Sequence, residues 1–193
     1  MSRFFVALLM LVSASLTGCV SYSAHNLAPV QTWPPQAAAA EHKPTAYLRF
    51  TAEHEFNGTP MAGGVNVPAW EKLVLDSYKE SNRLSSVTSQ QVDSDVYVYA
   101  SLKNSERGNR AAAFISGFTF LVIPVTFSND LTLETVYKNR DGKVLGTVSK
   151  SETITTWMQL LLIVTLPFNE SLDATIKHLS QSSLEEAIKQ KLI

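Results

Sequence analysis

Residues Asp130–Thr156 read DLTLETVYKNRDGKVLGTVSKSETITT. Apolar and polar residues alternate on both sides of Asp141-Gly142. Alternation at period two marks a strand with one wet face. Asp-Gly between two such stretches is a strong hairpin signal, because the tight turn needs residues that tolerate positive φ. The spacing predicts strands over roughly 131–138 and 143–155, paired antiparallel. The segment entering the first strand and the segment leaving the second then emerge at the same end, away from the turn.

Both of those segments are apolar. Upstream lies FISGFTFLVIPVTF, residues 114–127, and downstream WMQLLLIVTLPF, residues 157–168. Three readings are open. As membrane spans the runs are short: twelve residues make a helix of ~18 Å at 1.5 Å per residue, against a hydrocarbon core of ~30 Å. Residues 111–127 reach the lower limit, with Gly117 and Pro124 inside. As core, Phe118–Phe127 suits a strand buried on both faces, with Pro124 at a bulge or edge. As a contact surface, the paired runs bring Phe114, Phe118, Phe120, Phe127, Trp157, Leu161 and Phe168 near one another. An exposed apolar patch of several hundred Å² usually marks a binding site. Its occupant would be a membrane, a protein partner of the cell envelope, or an apolar ligand in a cavity lined by the runs.

Upstream, AYLRFTAEHEF alternates, with Ala46, Leu48, Phe50, Ala52 and Phe56 on one face. NGTPMAGG at 57–64 is a loop by its turn residues. Pro68 opens a helical pattern in which Trp70, Leu73, Val74, Ser77 and Tyr78 share a stripe. A short strand over 84–88 follows, then DSDVYVYASLK with Val96, Val98, Ala100 and Leu102 inward. The carboxyl end is helical, with Leu172, Ile176 and Leu179 on one stripe and Leu184, Ala187 and Ile188 on another. Ser182 and Glu185 have capping-box spacing, so the pattern predicts two helices or one kinked helix. The order is β-α-β-β, apolar run, β-β, apolar run, α. Clustered strands with helices to one side define one α+β domain over 46–193, mostly antiparallel sheet.

The chain begins MSRFFVALLMLVSASLTGCV. Arg3 precedes an apolar stretch over 4–16 of signal-peptide length. Leu16-Thr17-Gly18-Cys19 resembles the lipobox of bacterial lipoproteins. The resemblance implies cleavage between Gly18 and Cys19, removal of residues 1–18, and acylation of Cys19. The partner so implied is a membrane, reached through acylated Cys19. Val20, in place of an Asp, implies by the same resemblance an outer-membrane anchor facing the periplasm. Cys19 is the single cysteine, so no intramolecular disulfide forms. Residues 19–45 read as a lipidated tether, with four of the chain's eight prolines at 29, 34, 35 and 44. Such a linker extends ~3 Å per residue and either holds the domain off the membrane or folds back onto it. The element order over 46–150 resembles small envelope lipoprotein domains such as penicillin-binding-protein activators and the amino-terminal domain of TolB. No site residue follows from that likeness, since fold alone does not give function.

Sixteen Lys and Arg stand against seventeen Asp and Glu, a formal net charge of −1. With no long basic run, the electrostatic footprint of nucleic-acid binding is missing. No catalytic signature is present. His54 sits in TAEHEFNG, but Gly58 occupies the place a His-Glu-x-x-His zinc helix needs. On a strand His54 faces away from Glu53 and Glu55. Ser116-Gly117 lacks the glycine that opens a nucleophile elbow. The expectation is a non-enzymatic accessory or assembly factor with no metal and no cofactor.

Overall fold

The structure, a computed structural model, describes residues 18–30, 32–35, 43–160 and 170–193. Its strands are β1 (Gly18–Ser23), β2 (Thr45–Phe56), β3 (Thr59–Met61), β4 (Ser86–Thr88), β5 (Val96–Gly108), β6 (Val125–Asn139) and β7 (Val144–Gln159). Its helices are α1 (Val67–Glu80), α2 (Arg110–Phe118) and α3 (Leu172–Lys189). The fold is α+β, with a mostly antiparallel seven-stranded sheet in the order β1-β7-β6-β5-β2-β3 and β4 beside β2. The β6–β7 hairpin is its longest pairing, from Val125↔Met158 to Lys138↔Val144. At its turn Gly142 takes φ +80°, Asn139 N–H donates to the Lys143 carbonyl, and Gly142 N–H donates to the Asn139 carbonyl. Strands β2 and β5 pair in parallel over eleven positions. A parallel pair needs a crossover connection, and α1 supplies it.

Helices α1 and α3 cover one face of the sheet. Leu48, Val98, Leu102, Leu133, Ile176, Leu179 and Leu184 are all fully buried between these layers. Two polar links tie the layers together. Tyr78 and Tyr137 hydroxyls lie 2.6 Å apart, and Ser183 Oγ donates to Thr135 Oγ1 at 3.2 Å. The opposite face is uncovered among the described residues and exposes Arg49, Thr51, Ser101, Lys103 and Glu134.

Three sequence expectations are corrected. The carboxyl-terminal segment is one helix: its cap is Ser171, which accepts from Ala174 N–H, and Ser182 lies buried within it. Serines at 180, 182 and 183 face the core, and Ser180 Oγ returns its hydrogen bond to the Ile176 carbonyl. The first apolar run is neither one strand nor one helix. Asn109 caps α2, which ends at Phe118; a turn follows, and β6 starts at Val125. The third correction concerns the tether. Gly18–Ser23 form edge strand β1, antiparallel to β7, and Leu27 is buried in the core.

Glu152 explains how β1 leaves the sheet. Its carboxylate accepts the N–H of Asn26 (3.2 Å), Leu27 (3.1 Å) and Thr153 (2.9 Å). The chain after Ser23 is thereby drawn off β7 and onto the helix-covered face. Burial alone would push the Glu152 carboxyl up. Donation from those three backbone groups and the Ser23 hydroxyl outweighs it and holds the group below the usual carboxylate range.

Candidate functional site

Val125, Met158 and Cys19 stand opposite one another on β6, β7 and β1. Neighbouring strands are ~4.8 Å apart, so Cys19 lies about 10 Å across the sheet from Val125. This row closes the end of the sheet remote from the Asp141-Gly142 turn. Beyond it, on the chain entering β6, lie α2 and the turn 119–124. The Leu160 N–H donates to the Leu121 carbonyl at 3.0 Å and ties the exit of β7 to that turn.

The side chains here point outward. Phe114 is 75% exposed, Phe118 79% and Phe120 82%. Ile115, Val122 and Ile123 are exposed with them, so half of the twelve large exposed apolar side chains among the described residues fall within ten consecutive positions. Phe114 and Phe118 are one helical turn apart, which stacks them on one side of α2. Ser116, on the opposite side, is the buried residue of this helix, and its Oγ donates to the Ile123 carbonyl at 2.6 Å. The result is a convex apolar ridge.

The remaining candidate residues divide. Phe127 is half-buried with its ring packed over Gly108, where an added Cβ would lie 2.4 Å from Phe127 Cδ1. It belongs to the sheet and not to the ridge. Trp157 projects from the uncovered face, 41% exposed, and its Nε1–H donates to Tyr22 Oη at 3.3 Å. Cys19 is half-buried on β1, and Gly18 precedes it opposite Gln159. Leu161 and Phe168 lie outside the described residues. Ile115, Val122 and Ile123 lie within the run 114–127 without having been singled out in it, and Tyr22 fell in the segment read as tether. Two signals were present for their elements: Asn109 before Arg-Ala-Ala-Ala is a helix start, and Val20 and Tyr22 alternate with Ser21 and Ser23.

Two other clefts hold charged side chains that are internally paired. One of about 750 Å³ runs between β7 and α3, lined by Ser149, Lys150, Ser182, Glu185, Glu186 and Lys189. Its charges pair as Lys150–Glu186 and Lys189–Glu185. Another of about 480 Å³ adjoins the ridge, with Arg107, Asn109, Pro124, Ser128 and Trp157 on its walls. Arg107 is paired with Asp130. His54 bridges the Gly63 carbonyl (2.7 Å) and Glu106 (3.0 Å) and so ties the loop between β3 and α1 to β5. Among the described residues no group of three His, Cys, Asp or Glu side chains is placed to hold a metal ion. Nor is any helix among them long and apolar enough to cross a membrane. The largest titration shifts belong to the core pair: burial pushes Tyr78 far up and Tyr137 to about 12. No protein-family model matches the chain, and no curated protein matches its sequence.

Proposed function

We propose that the protein is a lipid-anchored cell-envelope domain, held by acylated Cys19, that acts without catalysis as an accessory or assembly factor through its apolar ridge. The observation carrying this reading is the row Val125–Met158–Cys19. It puts the residue that matches the lipobox cysteine at the same end of the sheet as the largest cluster of exposed apolar side chains among the described residues. Processing before Cys19 leaves Cys19–Ser23 still paired with β7. The acyl chains would then leave directly from the sheet edge, with no spacer between anchor and domain. Several acyl chains hold a protein firmly, since each buried CH₂ contributes ~0.8 kcal/mol. The outward aim of Phe114, Phe118 and Phe120 speaks for a contact surface over a ligand-cavity lining.

Replacement of Cys19 by Ala tests the anchor. The variant is expected to take up no labelled palmitate and to leave the membrane fraction on alkaline washing. A Cys19→Ala chain that stays with the membrane through that wash would sink the anchor reading.

A further inference from the structure

We propose that the ridge formed by α2 and the turn 119–123 inserts into the same leaflet that holds the Cys19 acyl chains, so that the domain stands on the membrane by one end of its sheet. This rests on the anchor reading but adds a second attachment that can be separated from it.

Charge is the first argument. No charged side chain occurs from Ala111 to Asn129. Protein-binding surfaces ring an apolar centre with polar groups, and charges on them set register and partner choice. The crest from Ala111 to Ile123 offers no charge, the nearest being Arg107 and Arg110 at one end of it, and it is convex. A hydrocarbon phase needs none.

Backbone satisfaction is the second argument, and it separates lipid from water. In hydrocarbon each unpaired backbone group costs several kcal/mol, so inserted backbone bonds to itself. All five N–H groups from Thr119 to Ile123 have acceptors: Ile115 O, Gly117 O, Ser116 O, Thr119 O and Thr119 Oγ1 in turn. The Thr119 hydroxyl itself donates to the Ile115 carbonyl, and the Ser116 hydroxyl donates to that of Ile123. The Ser116 and Thr119 hydroxyls turn inward and the apolar side chains outward, the reverse of a water-facing turn.

The third argument is strain. Phe120 takes φ +52° and Leu121 φ +63°. Bulky residues avoid this left-handed region, where turns in water place Gly, Asn or Asp. Such strain gathers where a side chain has work to do, and here it turns Phe120 fully outward. Trp157 and Tyr22, bonded to each other at the margin of the ridge, have the polar-tipped rings that favour a membrane–water boundary. The expected depth is that of an interfacial segment, ~5–10 Å.

The test uses the lipidated full chain in phosphatidylcholine vesicles, with Phe120→Cys carrying an environment-sensitive dye. Acylation consumes the Cys19 thiol, so one dye per chain is incorporated. Two dyes per chain would report unacylated Cys19 and count against the anchor alone. Blue-shifted emission quenched by shallow nitroxide lipids is expected at position 120, with water-like emission at a Val144→Cys control on the opposite end. Water-like emission at both positions overturns insertion. So does protection of position 120 that needs native membrane proteins, which would give the ridge to a protein partner. In a Cys19→Ala chain starting at residue 19, Phe118→Glu is expected to lower partition into the same vesicles about tenfold or more. Its circular dichroism should stay unchanged. Unaltered partition overturns the proposal, as does binding that appears only when phosphatidylglycerol is added, since that would assign it to Arg107 and Arg110.

Discussion

The two ends of the β6–β7 hairpin are built for opposite surroundings. At the turn end, Arg140 reaches Asp93 and Asp95, Asn139 bonds Asp141, and the exposed apolar residues are Val144, Leu145 and, beside Asp93, Val92. At the other end, the one that also holds Cys19, three phenylalanines stand out of a segment with no charge. The same sheet joins both, so the difference does not come from the fold. A hairpin decides which residues share an end; the chemistry of those residues decides what that end will meet. Substitutions should therefore cost little stability at the ridge and much in what lies between the ends.

The largest effect is expected midway. Leu133 is buried on β6 under α3. Leu133→Asp buries a charge with no partner and is expected to unfold the domain, a loss of roughly 4 kcal/mol or more. The same change at Phe118 should alter the unfolding free energy by no more than about 0.5 kcal/mol, read from denaturant midpoints at constant slope. Equal losses at the two sites would show that Phe118 is packed, and the contrast between core and ridge would fail.

A smaller loss is expected at Glu152, which joins the anchor strand to the domain. Glu152→Ala leaves the N–H groups of Asn26 and Leu27 without their acceptor, a cost of about 1–3 kcal/mol. Amide exchange should rise first at 24–27 and in β1. The acid dependence follows from the lowered pKa. A carboxyl held below its unfolded value of ~4.3 adds stability that is complete above that pH and fades as pH falls through the folded value. The wild-type chain should lose stability in that window more steeply than Glu152→Ala. Parallel acid titrations of the two would remove Glu152 as the cause.

The hairpin was legible because two independent signals agreed there. Alternation set the strands, and Asp141-Gly142 supplied the turn. Helix α1 was legible for the same reason, with Pro68 and the stripe Trp70, Val74, Ser77, Tyr78 in agreement. The ridge was less so. A run such as FISGFTFLVIPVTF has no polar residues to mark a face, so periodicity cannot tell strand from helix. What breaks it is local: the Asn109 cap, the inward hydroxyls of Ser116 and Thr119, and two left-handed residues that are not glycine. No sequence rule places Phe and Leu in such a turn. Strand β1 was obscured by the proline-rich segment behind it, and its partner β7 lies in a distant part of the chain. The candidate site was thus readable as a pair of apolar segments sharing an end. Which residues face outward became visible only with the turn.

The turn end offers a milder test. Gly142 has φ +80° and open space around its Cα. Gly142→Ala therefore meets no atom, and the cost is conformational alone, about 1–2 kcal/mol. A thermal or denaturant shift of that size, with membrane association unchanged, is the expected outcome. A change in association would mean that the two ends communicate through the sheet, which the comparison denies.

The smallest expected effect has the opposite sign. Asparagine tolerates left-handed backbone better than phenylalanine does, without the extra unfolded-state freedom of glycine. Phe120→Asn should relieve strain at a site whose side chain, 82% exposed, contributes little packing. Stability should rise by up to about 1 kcal/mol. Val144→Asn at the other end, exposed on a strand, should lower it slightly, because asparagine is a poor strand former. Denaturant midpoints at constant slope measure both. A substitution that stabilises the fold while weakening vesicle association would show that Phe120 is kept for its contact and against the stability of its own turn. A loss of stability at position 120 would instead mean that the ring is packed in the folded chain, and the ridge would have to be read as core.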